Sequence, residues 1–169
     1  MLSKERLFTS AVFIFAGLLG APAAHAQPPV CFNLQSLQGA YAVLGNYGAN
    51  VALALGTSSY DGNGNLTATL LVNEPTAGST TGARTLVSVT QTGTYTVNCN
   101  GTGQINRITT ANGVSTAQVV DFVITGAIVQ PGQLVATTIT TAQETPSAVV
   151  AGGVFLTGIL TRLPVYNSY

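Results

Sequence analysis

The chain has 169 residues, with five Lys and Arg against five Asp and Glu, one histidine, no tryptophan and 46 % hydrophobic residues. That charge balance excludes a nucleic-acid surface, which needs several cations along one groove to displace phosphate counterions. One histidine and one lysine also leave few groups able to move a proton at neutral pH.

The amino terminus reads as an export signal. Lys4 and Arg6 precede an apolar run, LFTSAVFIFAGLLG, and Ala24-His25-Ala26 then supplies the small-x-small pattern that signal peptidase requires. The run is shorter than the roughly 20 residues of a bilayer-spanning helix. A leader over residues 1–26 is therefore expected, cut between Ala26 and Gln27, with delivery to the periplasm or the medium. No later stretch has the length and apolarity of a membrane helix. Met1, Lys4 and His25 leave with the leader. Arg84, Arg107 and Arg162 then face Asp61, Glu74, Asp121 and Glu144, so three positive and four negative charges give a formal −1.

This inventory rules out whole classes of chemistry. Without histidine or lysine no Ser-His-Asp triad or Cys-His pair can form, and an imidazole-based zinc site is excluded. No cofactor is expected. Cys31 and Cys99 are the only cysteines, and an exported chain favours their pairing as a disulfide. The bond would tie the segment 27–38 to the body of the protein. Within that segment, FNLQSLQG predicts one short helical turn.

From there on the pattern is β. Thr and Val, stiff at the first side-chain torsion, recur with two-residue alternation. Strands are predicted over 39–47, 50–60, 65–74, 83–92, 93–99, 103–110, 115–129, 133–142 and 149–163. In LTATLLVN, Leu66, Ala68, Leu70 and Val72 share one face, with Thr67 and Thr69 on the other. In VFLTGILTRL, Leu156, Leu160 and Arg162 oppose Phe155, Thr157, Ile159 and Thr161. Asp61-Gly62-Asn63-Gly64, Asn100-Gly101, Asn112-Gly113 and Pro131-Gly132 supply the turns. Short connections between so many strands imply an antiparallel meander that closes on itself to hide its edges. The expected fold is all-β, a small antiparallel β-barrel of eight to nine strands over 39–163, with a two-sheet β-sandwich as the alternative. Pro164 ends the last strand, leaving 164–169 as a tail.

GAYAVLG, SSYDGNGNLTATLLVN, GTYTVNCNGTG and VFLTGILTR together resemble a group of small exported bacterial proteins of uncharacterised function. The shared pattern is G-x-Y, then F/Y-D-G-x-G-N, then G-T-Y-x-V followed by C-x-G, and a closing strand that ends in Arg. The likeness runs from Gly39 to Arg162, with fewer residues before Cys99 than the pattern has. It implies a barrel of the lipocalin or allene-oxide-cyclase type, and it brings no known active site.

Three constellations carry chemical potential. Asp61, Asn63 and Asn65 alternate like the first ligands of a calcium loop. An EF-hand, however, needs glycine at position six and glutamate at twelve, where this chain has Leu66 and Val72. The hairpin reading is preferred, with weak metal binding as its rival. Asp121 lies in the apolar stretch VVDFVITG. It points outward if Val120, Phe122 and Ile124 pack the core, or it pairs with Arg107 or Arg162 if both faces are buried. Tyr41, Tyr47, Tyr60 and Tyr95 either pack the core or line a cavity, so Tyr41, Tyr95, Arg107 and Arg162 are candidate ligand contacts.

Three functions survive this inventory. The leading one is a non-catalytic exported barrel that binds a small apolar molecule. The alternatives are a cyclase- or isomerase-type enzyme using Asp121, and a structural or self-associating envelope protein. The sequence alone sets no oligomeric state.

Overall fold

The computed structural model describes residues 31–48, 51–147 and 149–165. The expected leader over 1–26, its expected cut at Ala26–Gln27 and residues 166–169 lie outside them. Eight strands run β1 Gly39–Asn46, β2 Leu53–Tyr60, β3 Asn65–Pro75, β4 Arg84–Val97, β5 Thr102–Ala111, β6 Val114–Gln130, β7 Gln133–Gln143 and β8 Thr157–Arg162. Each pairs antiparallel with the next, and β8 returns to β1, so the sheet is a closed barrel. A sandwich is thereby excluded.

Alternation builds the wall. Leu66, Ala68, Leu70 and Val72 all point into the lumen, while Thr67, Thr69 and Leu71 point out. Inside, Tyr41, Tyr60 and Tyr95 meet edge to face, with ring centroids 5.5 Å and 5.1 Å apart. The β5–β6 hairpin turns on Asn112 and Gly113, at φ 50° and 78°, the left-handed pair that a two-residue turn demands.

Two predicted boundaries need correction. The segments 83–92 and 93–99 form the single strand β4, which passes through Gly93 without a break. A side chain there would drive into Asn106 O of β5, so the glycine serves close backbone approach and not a turn. The predicted strand 149–163 pairs only from Thr157. Gly152 and Gly153 take φ values of 100° and 69° and break the pleat. The chain before β8 folds over one barrel end instead, burying Val150 and Leu156.

The opposite end is closed by a single 3-10 turn, Leu34–Leu37. Asn33 caps it, accepting from Gln35 N at 2.9 Å, while Ser36 Oγ accepts from Asn33 N at 3.1 Å. Leu37 inserts as a plug, 1 % exposed. The Cys31–Cys99 disulfide fastens this turn to the β4–β5 connection across 68 residues of sequence. In the chain-entropy account a loop of that size contributes about 4 kcal/mol.

Candidate functional site

Arg162, at the end of β8, reaches under the 3-10 turn. Its guanidinium donates to Ala136 O at 2.6 Å, Gln38 O at 2.6 Å, Ser36 O at 3.3 Å and the Tyr41 hydroxyl at 2.6 Å. It also lies 4.9 Å from the centre of the Tyr41 ring. Tyr41 in turn donates to Ala136 O at 3.0 Å. Burial pushes the Tyr41 phenol up to about 12, against the opposing pull of Arg162. All the donors named here are spent on the fold, so Arg162 and Tyr41 latch the closed end and offer nothing to a ligand.

Tyr95 has the same character. Its hydroxyl donates to Leu34 O at 3.0 Å and accepts from Gly62 N at 3.1 Å, joining the 3-10 turn to the β2–β3 hairpin. That hairpin is the Asp61–Asn65 stretch. Asp61 Oδ1 accepts from Asn63 N at 2.7 Å and Asn65 N at 2.9 Å, and Oδ2 accepts from Asn65 Nδ2 at 2.6 Å. These bonds, the Asn65 side chain foremost, hold the carboxyl below its ordinary range. The acid folds the bend, and both its oxygens are engaged in doing so.

Asp121 stands on the outer wall. Val120 and Phe122 are buried in the lumen, so the pleat turns Asp121 to solvent. Neither Arg107 nor Arg162 reaches it, which corrects the buried-pair alternative. Its neighbours are Gln104, whose Nε2 donates to Asp121 Oδ1 at 3.3 Å and to Glu144 Oε1 at 3.5 Å. Contact with Asp121 raises the Glu144 pKa.

Among the charged candidates, Arg107 projects into the lumen away from the barrel ends. Nε donates to Gln118 Oε1 at 3.3 Å and Nη1 to Gln91 Oε1 at 3.1 Å. Gln118 also accepts from Thr109 at 2.7 Å, and Gln91 donates to Thr109 at 3.3 Å, which closes a small polar network among apolar side chains. Beside it the lumen keeps a free space of ≈ 30 Å³. That is room for about one or two waters, far below the roughly 300 Å³ at which small-molecule pockets begin. Larger spaces are open troughs on the surface, of ≈ 470 Å³ beside Asp121 and ≈ 490 Å³ beside Glu74.

The outer wall carries a feature that residue-by-residue reading missed. Ile159 faces Leu44, Leu44 faces Leu55, and Leu55 faces Leu71, one unbroken row across β8, β1, β2 and β3. These four are between 45 % and 64 % exposed, and Leu53 and Leu86 extend the patch. Alternation places each of them outward, but only the strand register aligns them. Among the described residues no group of three metal-ligating side chains forms, and no helix is long and apolar enough to cross a membrane. No family model, curated protein or solved structure matches the chain.

Proposed function

We propose that this chain is a non-catalytic, exported β-barrel that works by self-association through the outer face of β8, β1, β2 and β3. The apolar row Ile159–Leu44–Leu55–Leu71 carries the reading. A half-exposed leucine leaves on the order of 80–100 Å² of apolar surface open, so the six-residue patch reaches on the order of 500 Å², in the upper part of the range of the largest, often functional, patch on a monomer and over half of what one partner in a standard interface buries. No outward position on these four strands is charged, and the one cation at the patch edge, Arg84 on β4, is tied to Asn73; a formal charge of −1 after leader removal opposes pairing only weakly. The partner best matched to such a face is a second copy, apolar row against apolar row about a two-fold axis. Because the barrel is closed, association runs face to face and not by edge-strand pairing.

The other readings lack this support. The filled lumen leaves a small apolar molecule no enclosed cavity, and a cyclase built on Asp121 would have its acid on the outer wall. The lumen is packed with apolar side chains and the outer wall mixes threonine with leucine, unlike the polar lumen and apolar girdle of a lipid-facing barrel. Light scattering across a concentration series tests the proposal. The natural chain should gain mass with concentration, and Leu55→Lys, at the centre of the row, should stay monomeric with an unchanged thermal midpoint. A natural chain that remains monomeric throughout contradicts it.

A further inference from the structure

Among the described residues the cation inside the barrel has no counter-ion. The hydrogen bonds of Arg107 run from Nε and Nη1 to two neutral amide oxygens, and among the described residues none engages Nη2. The two phenols that act on it electrostatically, Tyr47 and Tyr60, are kept protonated by burial and supply no negative charge. Arg107 is half-buried, and a guanidinium drawn partly out of water without an anion is penalised for it. Arg84 and Arg162 also have neutral partners, but both sit at barrel ends, whereas Arg107 projects into the lumen.

A second, independent feature meets it there. Ser58 is 5 % exposed, and its Oγ, beside the Tyr60 hydroxyl, is the only fully buried side-chain polar atom among the described residues that forms no hydrogen bond of good geometry. Buried hydroxyls are nearly always satisfied. Ser58 and Arg107 line the same ≈ 30 Å³ space with Tyr60, Gln91 and Thr141, and apolar groups such as Val43 and Leu70 wall the rest. An orphan hydroxyl donor, a cation with an idle N–H edge and room for one small sphere call for the same occupant.

We infer that the lumen binds one small monovalent anion of the size of chloride, held between Arg107 Nη2 and Ser58 Oγ. Water would satisfy the hydroxyl but leave the charge uncompensated. A carboxylate-bearing metabolite is too large for the space. The site is independent of the outer apolar row, so neither proposal stands or falls with the other.

The exported protein, purified and exchanged into chloride or gluconate at matched ionic strength, tests this by its thermal midpoint. Chloride should raise the midpoint saturably, as a ligand specific to the folded state does. Ser58→Ala should need about tenfold more chloride for half the effect, the equivalent of one charge-assisted hydrogen bond, and Arg107→Gln should show no chloride dependence. A crystal soaked in bromide should show an anomalous peak in contact with both residues, a readout that does not require the Arg107 variant to fold. Equal midpoints in the two salts, or a bromide-soaked crystal with only water in that space, overturns the inference.

Discussion

The guanidinium of Arg162 stacks 4.9 Å from the centre of the Tyr41 ring while donating to that residue's hydroxyl at 2.6 Å. The first and last strands are thereby locked together beneath the 3-10 turn, at the point where the barrel closes. Arg162 is the only donor described for the carbonyl of Ser36, and it shares that of Ala136 with Tyr41. Arg162→Met should therefore cost about 3 kcal/mol, since it strips charge-assisted bonds from carbonyls that remain partly buried. Urea unfolding measures it. Arg162→Lys should recover less than half, because an ammonium cannot span four acceptors arranged for a fork. Full recovery by lysine would show that charge alone matters.

The disulfide works on the same end by another route. Replacing both Cys31 and Cys99 with serine should lower stability by about 4 kcal/mol through the freed loop, with the far-ultraviolet spectrum of the barrel unchanged. Loss of the β spectrum instead would mean that the bond dictates the fold and does not merely fasten it.

Alkaline pH should open the barrel from within. Burial raises the Tyr41 phenol from 10.0 to about 12, and Tyr60 and Tyr95 are pushed up as well. The folded state therefore holds protons that the unfolded chain releases. The stability is intact below pH 10 and falls as pH rises toward 12. Tyrosinate absorbance should appear together with unfolding, in one cooperative step, for the buried phenols. Stepwise titration of Tyr41 without loss of structure would contradict the latch.

On the outer wall the expectation has the opposite tone. Asp121 raises the pKa of Glu144, so the two carboxylates repel when both are ionised. A raised folded pKa means that the pair is tolerated best in acid and loses stability as pH climbs through the Glu144 titration. Asp121→Asn should return Glu144 to its ordinary value, read by carboxyl NMR. It should also raise the thermal midpoint slightly at neutral pH, with no gain in acid. A drop in stability at neutral pH would assign Asp121 a role that its exposed position does not explain.

Much of this molecule could be read from its residues. Alternation in LTATLLVN and VFLTGILTRL marked the faces of β3 and β8, and Asn112-Gly113 marked its hairpin. The break expected between 92 and 93 is absent, because Gly93 is required by close backbone packing within β4, and nothing in the sequence distinguishes such a glycine from one that makes a turn. Arg162 was visible as the end of a strand, but its acceptors come from positions up to 126 residues away. The outer row escaped for a related reason. Leu44, Leu55, Leu71 and Ile159 each read as a single apolar residue on a polar face, and only register turns four such residues into a surface. Ser58 gave no signal at all, since an orphan hydroxyl is defined by what fails to reach it.

Native mass spectrometry of the purified protein tests the central claim most directly, because it weighs partner and ligand together. A filled lumen and an apolar outer row predict a two-copy species that grows with concentration and carries no bound organic molecule. A single-copy species that retains a small organic molecule would contradict both halves of the account.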